Sequence, residues 1–331
     1  MEQVRKCPSC GGTMLFNPGF KSLLCQSCGH KETVPELVSK ISVEEMDFLS
    51  AQNTASHDWG MDAKVVQCRQ CGGVTIQNKL QLSGFCPFCG STTVEAGDPA
   101  QDIMAPNGVI PFEITENRAL YIFKDWIKDR FLAPELLARD AKLNKFYGIY
   151  IPLFTFDCLT VNRYTGHFNQ DNRVLFKSGR FQHQVDDFPV VASKQLSTDK
   201  LLLNVIKDYR TNEAKPYTPE ALAGFPCEHY SIGLNEAWNS LGNEMNFYLK
   251  NQASKQDESK FLTGIEMATD YFNLKYKYLI VPVWINSFFY DNKLYTIVIN
   301  GQTRKIDGQW PKSFGTFAKK AALFFLGAGL T

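Results

Sequence analysis

The sequence predicts an α+β protein: two small β-rich zinc ribbons in tandem, followed by a larger α+β domain with an antiparallel sheet. Three observations carry this. Eight of the ten cysteines lie before residue 90, in four Cys-x2-Cys pairs. Those pairs fall into two halves with the same internal spacing, the mark of a duplicated module. From Val109 onward paired cysteines stop, and long aromatic and β-branched runs take over.

The pairs are Cys7/Cys10, Cys25/Cys28, Cys68/Cys71 and Cys86/Cys89, and each is followed directly by glycine: Gly11, Gly29, Gly72 and Gly90. Two thiolates can meet one metal only if the chain reverses sharply, and a residue without Cβ supplies the positive φ that the reversal needs. Four thiolates at about 2.3 Å in a tetrahedron make a structural zinc site closed to water and substrate. We therefore expect two Zn2+ ions, one on Cys7, Cys10, Cys25 and Cys28, and one on Cys68, Cys71, Cys86 and Cys89. Redox dithiols are the competing reading, but four matching knuckles are far more specific than a lone Cys-x2-Cys. His30, two residues past Cys28, is a conceivable substitute ligand.

The expected order is zinc ribbon 1 at 1–33, a helical connector at 34–60, zinc ribbon 2 at 61–97, a linker at 98–108, the α+β domain at 109–313 and an apolar tail at 314–331. Thr13-Met14-Leu15-Phe16 and Val74-Thr75-Ile76 read as first strands of the ribbons. In the connector, Ser42-Val43-Glu44-Glu45 has the form of a capping box, with Val43, Met46 and Leu49 at helical spacing. Such small modules depend on the metal for folding, so chelation is expected to unfold 1–97 alone.

In the large domain, Val109-Ile110-Pro111-Phe112 reads as a strand. Thr115 caps a helix with Ala119, Ile122, Phe123, Trp126 and Ile127 on one face, and Pro134 could open a second. Extended segments are expected at 146–161, 163–168, 173–176, 180–184 and 188–192, with Gly166 and Ser178-Gly179 as turns. Helices follow near 198–210 and 234–251. Strands close the domain at 261–272, 276–290 and 294–300, with a hairpin turn at Asp291-Asn292-Lys293. Pro152 and Pro282 sit in similar strands, Tyr150-Ile151-Pro152-Leu153-Phe154 and Ile280-Val281-Pro282-Val283-Trp284, where proline marks an edge, a bulge or a strand start.

Catalytic signals are absent from the sequence. The five histidines are scattered, and neither a Gly-x4-Gly-Lys-Ser/Thr loop nor a Gly-x-Gly-x-x-Gly turn occurs. Cys158 and Cys227 are candidate nucleophiles, with His229 close to Cys227, but a lone cysteine in an aromatic strand is by default a buried, inert thiol. Strand aromatics such as Phe154, Phe156, Trp284, Phe288, Phe289 and Tyr290 could stack bases or a partner; sheet core is the plainer expectation.

The net charge of +1 offers no bulk attraction to nucleic acid. Two zinc ions and eight thiolates contribute +4 and −8, which takes it to −3. The start of the chain lacks the apolar core of a signal peptide, so a reducing, cytoplasmic setting is expected. After Lys319-Lys320 the chain is uncharged from Ala321 to Thr331. Those residues are too few to span a bilayer alone, and fit a docked helix, an interfacial anchor or the first turns of a membrane segment.

These residues resemble a bacterial family of TFIIB-type zinc-ribbon proteins of the YdjG type, often labelled as the primosomal helicase PriA. The resemblance covers most of the chain. It rests on the knuckles, on Gly148-Ile149-Tyr150-Ile151-Pro152-Leu153-Phe154-Thr155-Phe156-Asp157, on Pro189-Val190-Val191-Ala192-Ser193-Lys194, on Tyr217-Thr218-Pro219-Glu220 and on Val298-Ile299-Asn300-Gly301-Gln302-Thr303. It implies a membrane-tethered cytoplasmic protein beside SPFH-domain scaffold proteins in envelope stress. With no phosphate loop and no helicase acidic box, the helicase label reads as a carry-over from the cysteines. The expected function is a non-enzymatic adaptor binding a partner protein at the inner face of a membrane, with no small-molecule substrate. A nucleic-acid-binding zinc-ribbon factor of replication or transcription is the alternative, and a hydrolase using Cys158 or Cys227 a third.

Overall fold

The computed structural model describes residues 5–78, 84–97, 103–130, 132–134, 137, 145–171, 173–197, 200–255 and 262–312. A first, separate sheet is formed by β1 (Met14–Asn17), β2 (Ser22–Cys25) and β3 (Lys31–Thr33), in that order and antiparallel throughout. After it come the single-turn helix α1 (Pro35–Val38), the two-residue strand β4 (Met46–Asp47) and a second single turn, α2 (Ala51–Thr54).

The connector is therefore not the helix that its spacing predicts. Met46 and Asp47 pair with Tyr276 and Lys275 of a distant strand, and the Phe48 amide donates to the Leu274 carbonyl. Leu49, which a helix would have turned inward, is 87% exposed. Long-range backbone pairing prevails here because a short helix gains little from its own hydrogen bonds.

The second ribbon contributes β5 (Ala63–Cys68), β6 (Val74–Asn78) and β7 (Val94–Ala96). Next come β8 (Gly108–Val109) and α3 (Glu116–Lys128). The Thr115 hydroxyl accepts from the Arg118 amide as N-cap, and α3 buries Ala119, Phe123, Trp126 and Ile127, the face that its period predicts. A helix begun at Pro134 would fall mostly on residues outside those described.

The centre of the molecule is a pair of very long strands. β9 (Tyr147–Gln170) runs 24 residues and returns as β10 (Arg173–Val191), so the short segments expected here are fused. Gly166 and Gly179 are not turns: they pair with Lys177 and Tyr164 inside the ladder. The chain continues through α4 (Lys194–Ser197), α5 (Lys200–Ile206), β11 (Lys215–Pro216), β12 (Cys227–Glu228), α6 (Leu234–Ser240) and α7 (Gly242–Ser254). β13 (Thr263–Tyr290) spans 28 residues where two strands were expected, and turns at Asp291 and Asn292 (φ 48° and 59°) into β14 (Lys293–Asn300), then β15 (Ile306–Gly308). Positive φ at both central residues is the hairpin geometry that the Asp-Asn pair signalled.

Among the described residues these strands make one mixed sheet in the order β11-β8-β13-β9-β12-β6-β5-β7, with β10 on β9, β14 and β4 on β13, and β15 on β14. β9 and β13 are antiparallel from Tyr147/Ile285 to His167/Thr263. The period-2 alternation sorts their side chains: Tyr150, Phe154, Phe156, Tyr276 and Tyr278 pack on one face, and Ile149, Ile151, Leu153, Val281 and Val283 on the other. The strand aromatics are thus mainly core, while Phe289 is 55% exposed.

Pro152 and Pro282 lie in this central pair and not in edge strands. Pro152 faces Ile280, and Pro282 faces Tyr150. Each turns its carbonyl away from the partner: Pro152 O accepts from Ala192 N at 3.0 Å and Pro282 O from Gly301 N at 2.8 Å. On an antiparallel strand the nitrogen points the same way as the carbonyl, so no β9–β13 hydrogen bond is lost. On those outer sides a short parallel strand is replaced by a long antiparallel one. Tyr150 pairs with β12 and Leu153 with β10, just as Ile280 pairs with β8 and Val283 with β14. The sequence likeness around the two prolines thus corresponds to a structural pseudo-repeat.

Candidate metal centres

Each Cys-x2-Cys pair forms the same knuckle. The amide of the first cysteine donates to a carbonyl five residues on (Cys7 to Gly12, Cys25 to His30, Cys68 to Gly73, Cys86 to Ser91), and the glycine amide returns to the first cysteine's carbonyl. Gly11, Gly29, Gly72 and Gly90 all have φ between 70° and 76°, as the reversal requires.

The hairpins then fold the knuckles onto one another. In the first centre Sγ of Cys7 lies 3.5 Å from that of Cys28, and Cys10 lies 3.5 Å from Cys25. In the second, Cys68–Cys89 is 3.7 Å and Cys71–Cys86 is 3.6 Å. All four sulfurs of each group fall within 4.8 Å of one another. A tetrahedron with metal–sulfur bonds of about 2.3 Å has edges of about 3.8 Å, so both groups suit a structural zinc ion. The ligand sets are sequential within each half. His30 stays outside its group, its Nδ1 paired with the Ser9 hydroxyl at 3.2 Å.

Bringing four thiols together splits their proton affinities. A hydrogen bond from Cys86 holds the Cys71 thiol down at about 5, and the Cys28 amide holds Cys25 at about 6. Such thiolates are ready ligands near neutral pH.

The two centres differ in setting. Cys7 and Cys25 are buried while Cys10 and Cys28 are exposed; in the second group Cys68, Cys86 and Cys89 are buried and Cys71 is half-buried. Nor is the second ribbon a free module. Its β6 pairs with β12, which pairs with β9, and Cys68, Cys86 and Cys89 share an apolar cluster with Ile149, Ile151 and Val281. The first ribbon is joined through Phe16 N to Ala223 O at 2.9 Å, and Met14, Phe16 and Leu23 belong to the core around Tyr150. The expectation that chelation would unfold 1–97 alone is thereby revised, because the boundary at residue 97 cuts across one sheet and two shared cores.

It is similar to YdjG of Bacillus subtilis. The likeness to that protein, described as uncharacterized, is 26% identity over 341 residues, covering 97% of this chain and 93% of the relative. No family profile matches the chain. No solved structure matches it either.

The remaining candidates are dispersed. Cys158 is 1% exposed and its thiol is pushed up to about 11 by burial; Cys227 is fully buried, and burial pushes its thiol up as well. The His229 ring stacks on Tyr230 at 4.8 Å. One cluster had no sequence signal: Glu45, Asp157 and Asp186 bring carboxylate oxygens within 4.8 Å at the β10 bulge. Burial pushes Asp157 up to about 7, and Lys277 pairs with the neighbouring Asp187 at 2.7 Å. The nearness of Asp186 to Glu45 follows from the β4–β13 pairing, which no local pattern announces. The 314–331 tail lies outside the described residues, and among the described residues no helix is long and apolar enough to cross a membrane.

Proposed function

We propose that the protein is a non-enzymatic zinc-ribbon adaptor that binds a partner protein at the cytoplasmic face of a bacterial membrane. The carrying observation is the disposition of its thiols. Eight form two closed tetracysteine groups with no position left for substrate, and the other two are buried with their thiols pushed up by desolvation. This chemistry holds a shape and activates nothing. The resemblance to TFIIB-type zinc-ribbon proteins, the SPFH-scaffold association it implies and the apolar tail after Lys319-Lys320 support the membrane setting. Exposed apolar residues on the N-terminal region, Phe20, Val38, Ile41 and Leu49, offer the partner a surface.

Cross-linking and pull-down with the full zinc-loaded chain test the reading. A partner protein that is retained at high salt and lost with Leu49→Ser plus Ile41→Ser is the expected result. Salt-sensitive retention on DNA or RNA with no protein partner overturns it in favour of a nucleic-acid factor.

A further inference from the structure

Past Cys158, β9 is flanked only by β10 and β13 among the described residues, so these three strands form an arm of the sheet. Both outer edges of the arm are open among the described residues. β10 pairs with no strand other than β9, and β13 meets β4, β8 and β14 only from Lys275 onward. An open edge presents unpaired backbone N–H and C=O groups, a template for another strand.

The two edges carry opposite charge. From Arg173 to Val185, β10 holds Arg173, Lys177 and Arg180 and no acidic residue; from Thr263 to Asn273, β13 holds Glu266 and Asp270 and no basic one. Charge on an edge guards it against its own kind, since like charges directly opposite are destabilising. Between two copies, β10 against β10 and β13 against β13 are therefore disfavoured, and β10 against β13 is favoured.

The register of the arm suits that match. Arg180 lies opposite Arg163 of β9, and Arg163 lies opposite Ala268 of β13. Glu266 and Asp270, two residues to either side of Ala268, share its face of the sheet. Both β10 and β13 run antiparallel to β9, hence parallel to each other. When β13 of a second copy continues the sheet beyond β10 in the same row, Arg180 sits diagonally between Glu266 and Asp270 of that copy. Such a diagonal contact already closes within the arm, where Arg163 holds Asp270 at 3.0 Å.

We propose that the protein self-assembles head to tail through this arm, the acidic β13 edge of one copy adding in parallel to the basic β10 edge of the next. The occupant is a second copy because the chain itself supplies the complementary edge. A heterologous contact of this kind builds open chains or a closed ring, not a two-fold dimer. It lies far in sequence from Ile41 and Leu49 and does not depend on the adaptor reading.

Sedimentation and light scattering of the zinc-loaded full chain over a range of concentrations test this. Apparent mass is expected to rise at least about twofold with concentration and to fall toward that of one chain at high salt. Arg173→Glu with Arg180→Glu turns the β10 edge net acidic, and Glu266→Lys with Asp270→Lys turns the β13 edge basic. Each double variant alone should self-associate at least about tenfold more weakly, and their equimolar mixture should recover assembly, with two zinc ions bound in every sample. Recovery in the mixture also shows that both variants are folded. A monomer at every concentration, a closed dimer, assembly insensitive to both variants as the 314–331 tail would give, or a mixture that fails to recover overturns the proposal. A monomer that captures polyglutamate overturns it in favour of an acidic partner on the β10 edge.

Discussion

The hydroxyl of Ser193 donates to Oε1 of Glu228 across 2.6 Å in the interior, and the other carboxyl oxygen of Glu228 has no partner among the described residues. Desolvation pushes this carboxyl up to about 8, against an ordinary value of 4.5. The folded state therefore binds a proton that the unfolded state has released between those two pH values. The stability from this site is complete below 4.5, falls as pH rises through the window and levels off above 8, with a slope of up to about 1.4 kcal/mol per pH unit. Glu228→Gln removes the titration. Urea midpoints at several pH values are expected to show the variant gaining on the wild type up to pH 8 and running parallel beyond it.

Asn300 supplies a second test. Its Nδ2 donates to the carbonyls of Val205 and Asp208, both at 3.0 Å, and its Oδ1 accepts from the amides of Gln302 and Thr303, both at 2.9 Å. Asn300→Ala strips four backbone groups of their partner at once. A loss of about 2–4 kcal/mol in denaturant unfolding is expected, with the m-value unchanged.

The two metal centres should part company under chelation. Zinc release monitored with a chromogenic chelator is expected in two phases, the first from the exposed Cys10/Cys28 side with near-ultraviolet dichroism largely kept. The second should coincide with loss of tertiary signal, because Cys86 and Cys89 lie in the cluster under β9 and β13. Cys86→Ser is accordingly expected to destabilise by at least about 3 kcal/mol and Cys10→Ser by clearly less.

Thiol labelling checks the structural role of the lone cysteines. In the zinc-loaded chain Cys158 and Cys227 should resist iodoacetamide until global unfolding, since both are buried and their thiolates are disfavoured. Rapid modification of either in the folded protein would reopen the hydrolase reading.

Much of the metal chemistry was legible because it is local: each knuckle is a six-residue device whose glycine, thiolates and turn are contiguous. The α3 face and the Asp291-Asn292 hairpin were legible for the same reason. The connector was not, since Met46 answers to Tyr276 and not to its own turn. The strand lengths were misread because Gly166 and Gly179 look like turns to a local eye, yet face neighbours in a ladder that tolerates them. Glu228 carried no signal, as its meaning depends on which buried neighbours fail to reach it.

The β9–β13 ladder also bears on how the chain is made. Tyr150 meets Pro282, 132 positions later, whereas the sulfur contacts Cys7–Cys28 and Cys68–Cys89 each close over 21. At synthesis rates of about 5–20 residues per second, β9 waits roughly ten seconds for its partner with part of both apolar faces uncovered. The metal knuckles can form at the ribosome long before the sheet that joins them exists. Yield in the cell should therefore depend on whatever shields the nascent strand during that interval, and slowed growth or extra chaperone should raise it more than extra zinc does.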